Sequence, residues 1–267
     1  MMTHSSTASS AVSSPESRYK LAVIIPMFNE ELGAKRCVEA VCQVLSDRVP
    51  GVHLFAVNDG SRDRTESVLR SLEAPTLPFT VVSYSQNRGY GAALLEGARV
   101  ALSAGYDFGL FMDSDLTNDP ALIPLFEDAI QGGRVDVIKA SRYISGGGMS
   151  QVPWYRQVIS KVGNFIASRL CNIGIRDCTN GFRAVRLSLL SQISFQERGF
   201  PSIVEELYLL KKLGARFREV PYVLTARTGD QAASSFQYTF KMFATYLKYC
   251  VKAALVPRAS TVDNSGR

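Results

Sequence analysis

Five short apolar runs, each closed by turn-forming residues, alternate with segments of helical periodicity. The runs are KLAVIIP (20–26), VHLFAVN (52–58), FTVVSYS (79–85), FGLFMDS (108–114) and VDVIKAS (135–141). Between them lie EELGAKRCVEAVCQVLSDR (30–48), TESVLRSLE (65–73), GAALLEGARVALSAG (91–105) and PALIPLFEDAIQ (120–131). Short continuous apolar runs read as strands buried on both faces, and strand–helix alternation commits the chain to an α/β architecture with a mostly parallel, doubly wound sheet. A chain of 267 residues can bury a sizeable core in one such domain.

Ligands in doubly wound sheets bind beyond the carboxyl ends of the strands. The polar signals fall there: MFNEE, NDGSRDRT, QNRGYGA, DSDLTNDP and SRYISGGG follow the five runs in order. Turns alone favour such residues, but five in succession on one rim predict a binding cleft. The fourth is the most demanding, because Asp113, Asp115 and Asp119 fall within seven residues. Asp113 and Asp115, two apart, point to one side of an extended strand end, where either a cation holds them or they are solvated at a turn. Asp119 precedes Pro120 and a helical pattern, as an N-cap does.

A net charge of +6 suits anionic ligands such as phosphates or a lipid headgroup surface. No basic run with interleaved aromatics is present, which argues against nucleic acid as a partner. The five cysteines form no CxxC pair and are odd in number, so a disulfide framework or zinc site is not expected and a reducing cytosol fits. Of two histidines, His4 lies in the tail and His53 opens an apolar run, which leaves no histidine triad. Residues 1–18 read as a disordered tail with neither the basic nor the apolar region of a signal peptide. No apolar stretch is long enough to span a bilayer, so the expectation is a cytoplasmic protein, either soluble or peripheral on the cytoplasmic face of a membrane.

After residue 150 the alternation breaks. VPWYRQVISKVGNFIASRLCN (152–172) and SIVEELYLLKKLG (202–214) read as helices, FREVPYVLTA (217–226) as a strand, and IRDCTNGFR (175–183) as a polar segment. The expected division is one α/β domain over 19–234, an amphipathic helix over 235–256 and a tail over 257–267. In that helix Phe240, Phe243, Leu247, Val251 and Leu255 recur at helical spacing while Lys241, Lys248 and Lys252 share another face. It reads as a helix lying in a headgroup layer, as a core-packing helix with solvated lysines, or as the dock for a membrane-embedded partner.

The motifs VIIPMFNE, VNDGSRDRT, NRGYGAAL, MDSDLTNDP, SRYISGGG, RQVISKVGNFIAS, RDCTNGFR and EVPYVLTART together resemble the family 2 glycosyltransferases of GT-A fold, most closely the polyprenyl-phosphate branch typified by dolichol-phosphate mannose synthases. The resemblance implies that Asp113 and Asp115 hold Mg²⁺ or Mn²⁺, which bridges the diphosphate of a GDP- or UDP-linked sugar; a hard ion of this kind takes one or two carboxylates plus substrate phosphates. It implies that Pro26 and Phe28 lie along the nucleotide, that Glu30 holds its base or ribose, and that Asp59 contacts the base. Asn58 stands where an Asp is more usual. Gly89 and Gly91 would let backbone approach the ligand, or would merely serve a tight turn. Arg142, Arg156, Arg183 and Arg227 lie in segments arranged over the cleft, with Arg142, Arg156 and Ser160 matching phosphate-binding positions and Arg227 a loop that closes on the donor. Ser234 replaces a more typical lysine in that loop.

The implied reaction is attack by a polyprenyl phosphate oxygen on the anomeric carbon of the donor, with inversion. A phosphate monoester is largely ionised at neutral pH and needs no strong base. A hydroxyl acceptor would need one, and Glu205 is the candidate for that alternative. A non-catalytic sugar-nucleotide-binding subunit is the remaining reading.

Overall fold

The computed structural model describes residues 19–48, 51–72, 78–225 and 239–257. The five expected strands form as β1 (Leu21–Met27), β2 (His53–Asp59), β3 (Phe79–Tyr84), β4 (Phe108–Phe111) and β5 (Val137–Ser141), and every pairing among β1 to β4 is parallel. Helices α1 (Ala34–Arg48), α2 (Thr65–Leu72), α3 (Tyr90–Ser103) and α4 (Ile123–Gln131) connect them in turn. The sheet is completed by β7 (Arg183–Arg186) and β8 (Phe217–Pro221), in the order β3-β2-β1-β4-β7-β5-β8. Two short strands, β6 (Gly148–Met149) and β9 (Val223–Leu224), pair separately. The remaining helices are α5 (Trp154–Cys171), α6 (Leu187–Leu190), α7 (Ser202–Lys212) and α8 (Phe240–Ala254).

Strand periodicity divides the core into two layers. In β1, Leu21, Val23, Ile25 and Met27 pack with α1 and α4 on one face, while Ala22 and Ile24 pack with α3 on the other. Each fully buried side chain of this size contributes about 1.5–3 kcal/mol. Gly97 lets α3 settle against the sheet: a Cβ there would lie 2.5 Å from Ile24 Cγ2 and 2.8 Å from Val57 Cγ2.

The strand β7 was not expected. It runs antiparallel between β4 and β5, beginning at the last residue of what reads from sequence as a polar segment. Its first residue, Arg183, was expected over the cleft but is fully buried, paired with Glu206 of α7 at 2.5 and 2.6 Å. The fourth strand also stops early, at Phe111, so the acids lie in a turn and not on an extended strand end.

On the far side of the sheet, α8 packs on α5 and α7, burying Met242, Tyr249, Cys250 and Ala253. Lys211 of α7 is buried and donates at 2.8 Å to the carbonyls of Cys171 and Ala253, joining the C-terminal ends of α5 and α8. Lys248 and Lys252 both lie over the Tyr249 ring, and Lys248, still exposed, also meets Glu197 at 3.3 Å.

Candidate active site

The turn after β4 is tightly specified. Asp113 N–H donates to Asn118 Oδ1 at 2.9 Å, and Asp115 Oδ1 accepts from Thr117 N–H and hydroxyl at 3.0 and 2.7 Å. Short polar side chains that bond backbone two residues on favour such turns over strands, which is why Asp113 leaves the sheet. Leu116 adopts the left-handed region with φ 58°. Tyr222 locks the turn from the other side, donating to the Thr117 carbonyl at 2.7 Å. Asp119 caps the following 3₁₀ turn (Pro120–Leu122) by accepting from Ala121 N–H, as expected.

Both Asp113 and Asp115 line a cavity of about 1090 Å³. Arg142, Arg156, Ser160 and Asn164 continue its polar wall, and Ile159, Ile166, Phe243 and Leu247 form an apolar wall between α5 and α8. Two half-exposed carboxylates facing one cavity suit a hard divalent ion that completes its shell with phosphate oxygens and water. Among the described residues there is no cluster of three or more potential ligands, so such an ion would depend on its substrate.

The predicted arginines have different surroundings. Arg142 is gripped by Asp177, with Nε and Nη2 at 2.7 and 2.8 Å from the two carboxylate oxygens, while Nη2 also reaches Thr179 Oγ1. Burial opposes both charges, but their mutual attraction prevails, raising the Arg142 pKa and lowering that of Asp177. Arg142 also lines the cavity. Arg156 is exposed at the cavity wall, and Ser160, one turn on, bonds the Tyr143 hydroxyl at 2.7 Å. Arg227 and Ser234 lie outside the described residues.

The residues expected around a nucleotide gather at the carboxyl ends of β1 to β3, not in the cavity wall. Pro26 is half-buried, Phe28 exposed, and Glu30 N–H donates to Thr65 Oγ1 at 2.7 Å. Asp63 accepts from Thr65 N–H at 2.9 Å at the start of α2. The buried Asp59 accepts from the N–H groups of Arg88 and Gly89 at 2.7 and 2.9 Å, clamping the β3–α3 loop. Asn58 is likewise tied to Ser83 and Ser61. Gly89 has φ 91°, and a Cβ there would meet Arg198 O at 2.9 Å, so the protein's own packing requires this glycine.

Glu205, the candidate base for a hydroxyl acceptor, is buried and spoken for. It accepts from Gln196 and Glu197 N–H at 2.9 Å each and from the Tyr249 hydroxyl at 3.0 Å, and it does not line the cavity. Sequence reasoning also passed over Asn164. It is 2% exposed and makes four bonds: to Ser160 O and Thr179 Oγ1 as donor, and from Cys178 and Thr179 N–H as acceptor. An asparagine inside a helix rich in large apolar residues was the available signal. Tyr90, in NRGYGAAL, reaches Asp113 Oδ1 at 3.5 Å from beneath.

A mostly parallel α/β sheet with acids at the turn after its fourth strand and arginines along one cavity resembles the GT-A architecture. The chain belongs to glycosyl transferase family 2, whose profile matches residues 22–194. It is therefore a glycosyltransferase. It is 32% identical over 209 residues to the polyprenol monophosphomannose synthase of Mycolicibacterium smegmatis, covering 77% of each chain. It is 30% identical to the dolichol-phosphate mannosyltransferase of Pyrococcus furiosus over 80% of this chain but only 58% of that one. The fold is shared with glucosyl-3-phosphoglycerate synthase of Mycobacterium tuberculosis, solved with Mn²⁺, UDP and glucosyl-3-phosphoglycerate, at a TM-score of 0.62 and 19% identity over 91% of this chain and 82% of that one.

Proposed function

We propose that this protein transfers a sugar, with inversion, from a GDP- or UDP-linked donor to a polyprenyl phosphate. The observation that carries the reading is one cavity that holds Asp113 and Asp115 at one end, Arg142 and Arg156 along its wall, and an apolar trench between α5 and α8. An acceptor with a phosphate head and a hydrocarbon tail has that distribution of chemistry. The named relatives act on polyprenyl phosphates and transfer mannose, which makes mannose the first sugar to offer.

In this reading Asp113 and Asp115 hold Mg²⁺ or Mn²⁺, which supplies charge neutralisation at the donor diphosphate. Arg142, pre-set by Asp177, and Arg156 with Ser160 grip phosphate oxygens; a planar guanidinium suits that task better than an ammonium. Arg227 adds a cation from the segment that precedes α8. Pro26, Phe28, Glu30, Asp59 and Gly89 frame the nucleotide, Asp59 and Gly89 by fixing the loop that borders it. The acceptor arrives ionised, so the chain's residues need only orient it and stabilise the leaving group. The hydroxyl-acceptor alternative loses its base, since every contact of Glu205 is internal.

The test is product analysis with GDP- and UDP-sugars, Mn²⁺, and either a short-chain polyprenyl phosphate or the matching alcohol. Glycosylated phosphate is expected. Transfer to the alcohol and not to its phosphate refutes the reading.

A further inference from the structure

Thr179 is a hydroxyl with one use left open to it. It lies in the polar segment before β7, half-buried on the wall of the cavity that holds Asp113 and Asp115. Its Oγ1 accepts two N–H bonds, from Arg142 Nη2 at 3.2 Å and from Asn164 Nδ2 at 2.9 Å. A threonine hydroxyl has two lone pairs and one proton. Both lone pairs are taken, and among the described residues no acceptor takes the proton. Thr179 therefore meets a ligand as a donor only.

The surroundings keep it in that state. The Thr179 N–H donates to Asn164 Oδ1 at 3.2 Å, and the Cys178 N–H reaches the same oxygen at 2.8 Å. On either side, the buried Asp177 grips Arg142, and Asn180 Nδ2 donates to the Ala140 carbonyl at 2.8 Å. A hydroxyl that accepts from a guanidinium is polarised by it and becomes a stronger donor in turn. Its best match is an oxygen that carries charge and no proton, as a phosphate oxygen does. Position says which phosphate. Thr179 is bonded to Asn164 of α5, the helix whose Ile159 and Ile166 form part of the apolar wall of the cavity. A phosphate that carries a hydrocarbon chain fits that junction, and the diphosphate of a nucleotide sugar does not.

We propose that Thr179 donates a hydrogen bond to a phosphate oxygen of the lipid acceptor and so helps the site select a phosphate over an alcohol. The inference rests on the lipid-phosphate reading for the identity of that phosphate, but binding is measurable without transfer. Calorimetry gives the affinities of farnesyl phosphate, of farnesol, and of UDP or GDP with Mn²⁺ for wild type, Thr179→Val and Thr179→Ser. In the valine variant Arg142 keeps both Asp177 oxygens and Asn164 keeps the Ser160 carbonyl, so both retain their anchors. That variant should bind farnesyl phosphate about tenfold or more weakly, the worth of a bond to a charged group, with farnesol and nucleotide affinities unchanged. Thr179→Ser, which restores the hydroxyl, should restore farnesyl phosphate binding. Should the valine variant unfold in thermal melts, Thr179→Ala removes the same donor. A merely structural role would weaken farnesol and farnesyl phosphate alike. That result overturns the inference, as do loss of nucleotide affinity in place of farnesyl phosphate affinity, an unaltered valine variant, and a serine variant as weak as the valine. Farnesyl phosphate bound through Thr179 but glycosylated from no donor would instead refute the proposed reaction and leave the contact standing.

Discussion

Replacing Glu206 with glutamine tests the buried ion pair at the centre of the sheet. Arg183 and Glu206 are bidentate at 2.5 and 2.6 Å, with side chains 0% and 1% exposed. After Glu206→Gln the guanidinium keeps the Gly181 carbonyl and the Phe111 ring, neither of them anionic, and its cross-strand partner is Lys139, another cation. Arginine cannot shed its proton, so titration offers no escape. Breaking a buried pair from one side costs about 3–5 kcal/mol. Against a total stability of roughly 5–15 kcal/mol that is a large share. The Arg183→Met/Glu206→Leu double variant removes both charges and should recover most of the loss, since apolar replacements of such pairs are often neutral. Urea unfolding of wild type, Arg183→Met, Glu206→Leu and the double variant completes the cycle, with Glu206→Gln measured beside it. A slope of about 3 kcal/mol/M converts the single loss into a midpoint shift of about 1 M or more. Additive single effects, or a Glu206→Gln loss under about 1 kcal/mol, would refute the reasoning.

Lys139 is fully buried and donates to the Asn180 carbonyl; burial, then the nearby Arg183, lowers its pKa from 10.5 to about 8. Between those values the unfolded chain holds a proton the folded one has released, so stability should rise with pH across that window by on the order of 3 kcal/mol, a rise that Lys139→Met should remove in thermal melts. Asp115→Asn should cut turnover by about 10²-fold or more and weaken Mn²⁺-dependent nucleotide binding in calorimetry; near-normal activity would exclude Asp115 from a metal site. Arg156→Ala, at an exposed position, should change unfolding stability by less than about 0.5 kcal/mol yet lower transfer about 10- to 100-fold, the worth of a charge-assisted bond.

The parallel strands were legible because each is a short apolar run with nothing to confuse its period, and their polar ends pointed to one rim. Asp119 was legible as a cap because capping acts over two or three residues. What could not be read was pairing at a distance. Glu206 lies 23 residues from Arg183, and Asp177 lies 35 from Arg142. Each of these looks like a free ionic group until the fold delivers its partner. The four-residue β7 was hidden for the same reason: charged at both ends, it belongs in the sheet only because Glu206 and Asp136 meet its arginines. Asp59 and Glu205 carry signals that suit a ligand or a base, yet their oxygens are filled by backbone amides of neighbouring loops. Arg156 of α5 and the acids after β4 were legible as companions only through the order of the motifs, since no local rule brings them together.

The four bonds of Asn164 have a kinematic consequence. A helix resting on greasy side chains can roll or slide a little without penalty, because dispersion has no preferred direction. Here the underside of α5 is an amide fixed by two donors and two acceptors, and every one of them has an angle to keep. Three of the four leave the helix for Cys178 and Thr179, and rotation about the helix axis would break those three together. The bearing of Arg156 thus follows the segment around Cys178, to which this asparagine acts as a keyway, with Ser168 bonding the Ile175 carbonyl at 2.6 Å one turn further on.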